Sequence, residues 1–215
     1  EFASTYSYPC ALRIEALARA SNVTLAWRPF LLGPIFGSQG WNDSPFNIYP
    51  EKGRYMWRDL ERICAELGLP MQRPSKFPRN GLLAARLACW FQDEPWLPEF
   101  VRQVYLANFA RDREIASADE IGAILEAVGQ PRALLACAER PETKDKLREQ
   151  TARARALGVF GADVAIRLQR IDARGIDRDP VALAEFLIKV REARERRHHR
   201  HAITAHQRAK PVLVV

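Results

Sequence analysis

Four residues near the start of the chain, Ser4-Thr-Tyr-Ser7, have the types and the spacing to stabilise an anion. They stand directly before an apolar stripe of Leu12, Ile14, Leu17 and Ala18, broken by Arg13, Glu15 and Arg19, which predicts a helix over residues 8–20 with Pro9 in its first turn. A helix start presents N–H groups without partners and the positive end of the backbone dipole, and both favour a thiolate. Cysteines at the two motif positions would carry out disulfide exchange. Two serines cannot, because a hydroxyl forms no disulfide. A serine hydroxyl can instead donate a charge-assisted hydrogen bond to a sulfur anion brought by another molecule. The simpler reading of the same pattern is a serine that caps a helix.

The elements that must position this segment follow along the chain. Residues 23–30, Val-Thr-Leu-Ala-Trp-Arg-Pro-Phe, alternate well enough for a strand. Residues 31–54 form a long connection with three Pro, four Gly and four aromatics. A loop over a ligand cleft and a loop packed by its own aromatics both account for it. Residues 55–156 read as a block of helices, with pieces at 55–67, 80–92, 96–110, 118–128, 131–138 and 142–156. Ser117-Ala-Asp-Glu120 is a capping-box pattern, and Gly68-Leu-Pro70 and Gly129-Gln-Pro131 are helix stops. Val164, Ile166 and Leu168 alternate as in one strand, and 180–197 reads as one amphipathic helix.

Length and composition bound the class. With 215 residues, 47% of them apolar and 27% charged, the chain can build a core of ordinary globular type. No apolar run reaches the roughly 20 residues of a membrane span, so no membrane association is expected. The opening residues are neither a basic n-region nor an apolar h-region, so no signal peptide is expected. The sequence starts without Met, as a piece of a longer protein would. Of the net charge of +7, residues 163–215 carry +5, from twelve Lys/Arg against seven Asp/Glu. The surplus belongs to one solvated tail, so nucleic acid is not expected as a partner. Cys10, Cys64, Cys89 and Cys137 are far apart and form no C-x-x-C pair. The last three lie among Ala and Leu as buried small hydrophobes, which suits a reducing cytoplasm. His198, His199 and His201 sit in an Arg-rich run and are not read as a metal site.

Longer stretches carry a resemblance. Phe2 to Tyr8, Ala11 to Leu17, Trp27-Arg-Pro-Phe-Leu-Leu-Gly-Pro-Ile-Phe36, Gly40-Trp-Asn-Asp-Ser-Pro-Phe-Asn-Ile-Tyr-Pro50, Lys52 to Arg62, Phe77-Pro-Arg-Asn-Gly81 and Gly158-Val-Phe-Gly-Ala162 together resemble the 2-hydroxychromene-2-carboxylate isomerases. That family stands with the kappa-class glutathione transferases and the DsbA-like proteins. The resemblance covers residues 2–162 and implies an α/β, thioredoxin-like fold with a βαβ start and a large all-helical insertion. It implies an incomplete thioredoxin-like domain from 1–36 and 157–190, a helical insertion at 37–156, and a basic, disordered tail at 191–215.

The site it implies is specific. Ser4 matches the serine that contacts the glutathione sulfur, and glutathione is the implied cofactor. Ala162 matches the residue before the fold's cis-proline, whose backbone pairs with the glutathione peptide. Asn47 matches a substrate-contacting position, and Asn80 is a second. Arg79 could steer a substrate carboxylate, although a solvated surface arginine is the simpler reading. The implied substrate is a small aromatic carboxylate, isomerised by reversible thiolate attack, bond rotation and release. A homodimer is common in the family. The chain also departs from it. Asp163 stands where the cis-proline belongs, and after Ala162 the text turns Arg-rich without the usual closing strands. A reading-frame change near codon 163 is one account. The sheet is therefore expected to be incomplete at both ends, with a C-terminal helix and reduced activity. A catalytically inactive thioredoxin-like binding protein is the rival reading, ahead of a glutathione transferase or a thiol-disulfide oxidoreductase.

Overall fold

The computed structural model describes residues 1–21 and 23–159, together with the strand backbone at 167–169, 171–172, 175–176 and 212–214. The chain divides into two compact units. One comprises residues 1–13 and 27–164, the other 14–26 and 165–215.

The first unit is helical, and its elements follow from local chemistry. Helix α1 runs Ser7–Ala11. Helix α3, Leu32–Gly37, begins where the Leu32 N–H donates to the Glu1 carboxylate at 2.7 Å, an acid at a helix start. Helix α4, Pro45–Ile48, is capped by the Ser44 hydroxyl, which accepts from the Phe46 N–H at 3.3 Å. Helix α5, Pro50–Leu67, starts on proline and ends at Gly68, whose φ of 64° is left-handed and needs no Cβ. Helices α6 (Leu82–Trp90), α7 (Leu97–Phe109), α8 (Ala118–Ala127), a 3₁₀ helix (Arg132–Glu139) and α9 (Pro141–Ala156) complete it.

The core forms around α6 and α7. Helix α6 carries Ala84, Ala85 and Ala88, all buried, and such small side chains let α9 and the 3₁₀ helix approach its backbone. On α7, Leu97, Phe100, Val101, Val104, Tyr105 and Asn108 fall at the spacing of one helical face, and all six are buried. Ile115, Ile121, Leu125 and Leu147 close the core. Cys64, Cys89 and Cys137 are buried as small hydrophobes, and burial pushes the Cys64 and Cys89 thiols up. Among the described residues, no helix is long and apolar enough to cross a membrane.

The second unit holds α2 (Ile14–Ala20) and strand β1 (Thr24–Ala26), then β2 (Arg167–Gln169), β3 (Ile171–Asp172), β4 (Gly175–Ile176) and β5 (Val212–Val214). β5 lies between β1, its parallel neighbour, and β2, its antiparallel one, with Leu25 opposite Leu213 and Leu168 opposite Leu213. β3 and β4 pair antiparallel as a separate ribbon.

Several expectations are corrected. The helix expected at 8–20 is two helices, because Arg13 N–H bonds the Cys10 carbonyl at 3.1 Å, a three-residue step where an α-helix takes four. The strand expected at 23–30 spans only Thr24–Ala26. Pro29, which cannot donate to a ladder, follows soon after. The connection at 31–54 contains α3, α4 and the start of α5. Ser117 caps α8 by accepting from the Asp119 N–H at 3.2 Å, but the Glu120 carboxylate accepts from Arg113 at 2.9 Å and is not turned back to close a box. The helix expected at 180–197 and the cis-proline position at Asp163 lie outside the described residues. So does the tail 191–215, apart from Val212–Val214.

Candidate functional site

The Ser4 segment is a tight turn entering α1. Ser4 N–H donates to the Glu1 carbonyl at 3.1 Å, and the Ser4 hydroxyl accepts from the Ser7 N–H at 3.3 Å. Ser4 thus braces the first N–H of the helix from upstream, while the cap residue itself, Tyr6, makes no side-chain capping bond. Accepting from the Ser7 N–H uses a lone pair and leaves the O–H proton for another acceptor. Ser4 is 8% exposed. Helix α1 has only five residues, so its dipole is small and the serine hydroxyl must supply most of any anion stabilisation.

Helix α7 holds this turn with polar groups set into its apolar stripe. Tyr105 donates its hydroxyl to the Glu1 carbonyl at 2.8 Å. Burial pushes the Tyr105 phenol well above its usual range, so it stays a neutral donor. Asn108 donates from Nδ2 to the Phe2 carbonyl at 3.0 Å. The Phe2 ring packs on Tyr105 at 5.2 Å, and a Cβ on Gly81 would lie 2.8 Å from the Phe2 Cβ. Neither Tyr105 nor Asn108 was legible as a site residue. The available signal was a polar pair three residues apart on an otherwise apolar face.

A cleft of ≈ 770 Å³ opens between the α4–α5 corner and residues 73–77. Phe46, Trp57 and Phe77 supply its aromatic surface, and Asn47, Arg54 and Arg73 its polar groups. Among the described residues no carboxylate lines it. Trp57 meets Phe77 edge-on at 4.9 Å, and the Arg73 guanidinium lies over the Trp57 ring at 5.0 Å. Asn47 Nδ2 donates to the Phe77 carbonyl at 3.1 Å and to the Asp43 carboxylate, tying one wall to the other. The walls fit closely: Gly53 of α5 faces the Phe46 carbonyl, and a Cβ there would overlap that oxygen. Tyr6, within the Ser4–Ser7 motif, contacts Phe46 at 6.3 Å and donates its hydroxyl to Asp59 at 3.0 Å. The motif and the cleft are therefore neighbours, although Ser4 does not line the cleft.

Behind residues 73–77 is a charged knot. Arg79 is 4% exposed, which corrects its reading as a solvated surface residue. Its Nη1 donates to the Asn108 carbonyl at 3.2 Å and to Asn108 Oδ1 at 3.3 Å. Its Nη2 donates to the Ser75 hydroxyl at 3.2 Å, the Asp112 carbonyl at 3.2 Å and the Asp112 carboxylate. Asp112 also accepts from the Ser75 N–H at 2.8 Å and the Ser75 hydroxyl at 3.0 Å. The Ser75 N–H, then the Arg79 guanidinium, hold the Asp112 carboxyl below the usual carboxylate range. Both terminal nitrogens of Arg79 are spent on protein, so in this arrangement it fastens the cleft wall.

Of the residues singled out from sequence, Asn47 lines the cleft and Ser4 stands beside it. Asn80 is exposed and accepts from the Leu82 N–H at 2.9 Å through Oδ1, a turn at the start of α6. Ala162 lies outside the described residues. Trp57, Arg73 and Ser75 join the site only through folding. Sequence spacing gave no sign that α5 and residues 73–77 would face each other.

Comparisons with known proteins agree with the resemblance read from the sequence. The chain is 28% identical over 177 residues to glutathione S-transferase kappa 1 of Homo sapiens, a match covering 76% of each chain. The Rattus norvegicus protein of that name matches at the same identity and share. A solved 2-hydroxychromene-2-carboxylate isomerase structure is similar with a TM-score of 0.69 at 20% identity, over 92% of this chain and 95% of that one. That likeness is one of fold. These relatives carry the names of enzymes. The family model for the DSBA-like thioredoxin domain matches residues 1–166, about three quarters of the sequence. The chain belongs to the DSBA-like thioredoxin domain family, with the thioredoxin-like α/β class and helical insertion that membership brings.

Proposed function

We propose that this chain is a glutathione-dependent cis-trans isomerase acting on aromatic carboxylic acids of the 2-hydroxychromene-2-carboxylate type. The observation that carries the reading is the Ser4 hydroxyl. It is fixed by the Ser7 N–H at 3.3 Å with its own proton available, in a motif that abuts an aromatic, cationic cleft. Glutathione, when bound, supplies a thiolate. The Ser4 O–H donates to that sulfur, and Tyr105 and Asn108 keep the turn in place. Phe46, Trp57 and Phe77 take a flat ring, and Asn47, whose Nδ2 is held by Asp43 and Phe77, offers its amide oxygen to the substrate. Asn80, beside residues 73–77, and the backbone of Ala162 are further contacts in this reading. Arg79 acts through the wall it fastens. A cytoplasmic, homodimeric enzyme belongs to the same reading.

The relatives named as kappa-class transferases support the use of glutathione. Isomerisation followed by substrate absorbance, with and without glutathione, tests the proposal. Ser4→Ala should lower turnover about a hundredfold, the cost of removing one preorganised donor to a developing anion. Retention on immobilised glutathione should weaken in parallel. A folded wild-type protein with neither activity nor retention would leave the second reading, a catalytically inactive binding protein. The low exposure of Ser4 favours that alternative.

A further inference from the structure

We propose that Arg73 is the specificity-determining residue of the cleft, selecting a flat aromatic acid over its neutral counterpart. The inference rests on reading the cleft as the substrate site. Arg73 holds its guanidinium over the Trp57 ring, 5.0 Å from the ring centre. Trp57 is 6% exposed and packed edge-on against Phe77 at 4.9 Å, so the platform beneath the guanidinium is fixed. A guanidinium seated over an indole face engages the ring's π cloud through its charge and keeps N–H groups for a carboxylate, which a guanidinium can meet with two parallel hydrogen bonds.

The backbone that carries Arg73 is fixed as well. Two residues on, Ser75 is fastened through its N–H and hydroxyl to Asp112, with Arg79 bonded to both. Four residues on, the Phe77 carbonyl accepts from Asn47. Among the described residues no carboxylate pairs with Arg73, and none lines the cleft. The other cationic lining residue, Arg54, differs: it is paired with Glu51 one turn away. A ligand that brings a ring to Phe46 and Trp57 and a negative group to Arg73 satisfies the cleft. A ligand with the ring alone leaves a guanidinium edge facing only water.

The test compares naphthalene-2-carboxylate with naphthalene-2-carboxamide by titration calorimetry at low salt, on the full chain and without glutathione. Wild type should prefer the carboxylate by about tenfold or more, the scale of a charge-assisted pair, and the preference should shrink as salt is raised. Arg73→Gln should bind the amide as wild type does and lose the preference. Arg73→Lys should keep part of it, having charge without the planar fork. Equal binding of the two ligands by wild type overturns the assignment. So does a preference that survives in Arg73→Gln, or failure of the folded protein to bind either ligand at millimolar concentration. Because no thiol is present, Ser4→Ala protein should show the full preference. Absent isomerisation with an intact preference removes the isomerase reading and keeps Arg73. Glutathione-dependent isomerisation that is unchanged in Arg73→Gln, with no preference, does the opposite.

Discussion

Arg79 and Arg73 stand six residues apart on opposite sides of one short segment, and they do opposite work. Arg79 is buried, and its terminal nitrogens are bonded to Asn108, Ser75 and Asp112. Arg73 is exposed at the cleft mouth, and its recorded partner is the face of Trp57. A buried guanidinium is tolerable only when surrounding acceptors repay its desolvation, so it becomes structural. An exposed one keeps its hydrogen-bonding edge for a ligand. Residue type alone does not separate the two roles. Burial and the company of Asp112 do.

Removing Arg79 should give the largest effect. Arg79→Ala strands the Asp112 carboxylate and the buried Asn108 oxygens, and the loss should approach about 3 kcal/mol, the lower end for breaking a buried pair, since Asp112 is partly exposed. Urea unfolding would measure it. A loss no greater than that of Arg73→Ala, expected within about 0.5 kcal/mol as for surface changes, would erase the distinction. Gly53→Ala comes next. A methyl group against the Phe46 carbonyl must push α4 and α5 apart, costing about 1–3 kcal/mol. Aromatic ligands should weaken with it in the same titrations.

The acid limb of stability offers a smaller but sharper comparison. The Asp112 carboxyl is lowered in the folded chain, so its contribution is present above the unfolded pKa of 3.8 and lost as pH falls through the depressed folded value. Unfolding free energy, followed by denaturant titration below pH 4, should therefore fall toward acid. Asp112→Asn should flatten that slope, and Arg73→Gln should leave it unchanged.

How far the sequence foretold this molecule depends on the range of the interaction. Helices α5 to α9 were legible because their apolar spacing and their stops, such as Gly68, are local facts. The division of residues 8–20 was not, since it turns on a three-residue hydrogen bond at Arg13 that periodicity does not encode. In the site, Ser4 and Asn47 stood out through a resemblance carried by neighbouring residues. Arg79 was named but misplaced at the surface. Its burial depends on Asp112, 33 residues away, and on Asn108 pointing back from another helix. Trp57 and Arg73 became partners only when α5 folded over residues 73–77.

The seat of α5 on α4 at Gly53 bears on how the cleft wall can yield. There the contact is made by main-chain atoms, since a glycine faces a peptide carbonyl with no rotamer between them. Such a joint does not give by swinging a side chain aside. It moves only as the two helices shift together, so the wall that carries Phe46 and Trp57 behaves as one piece.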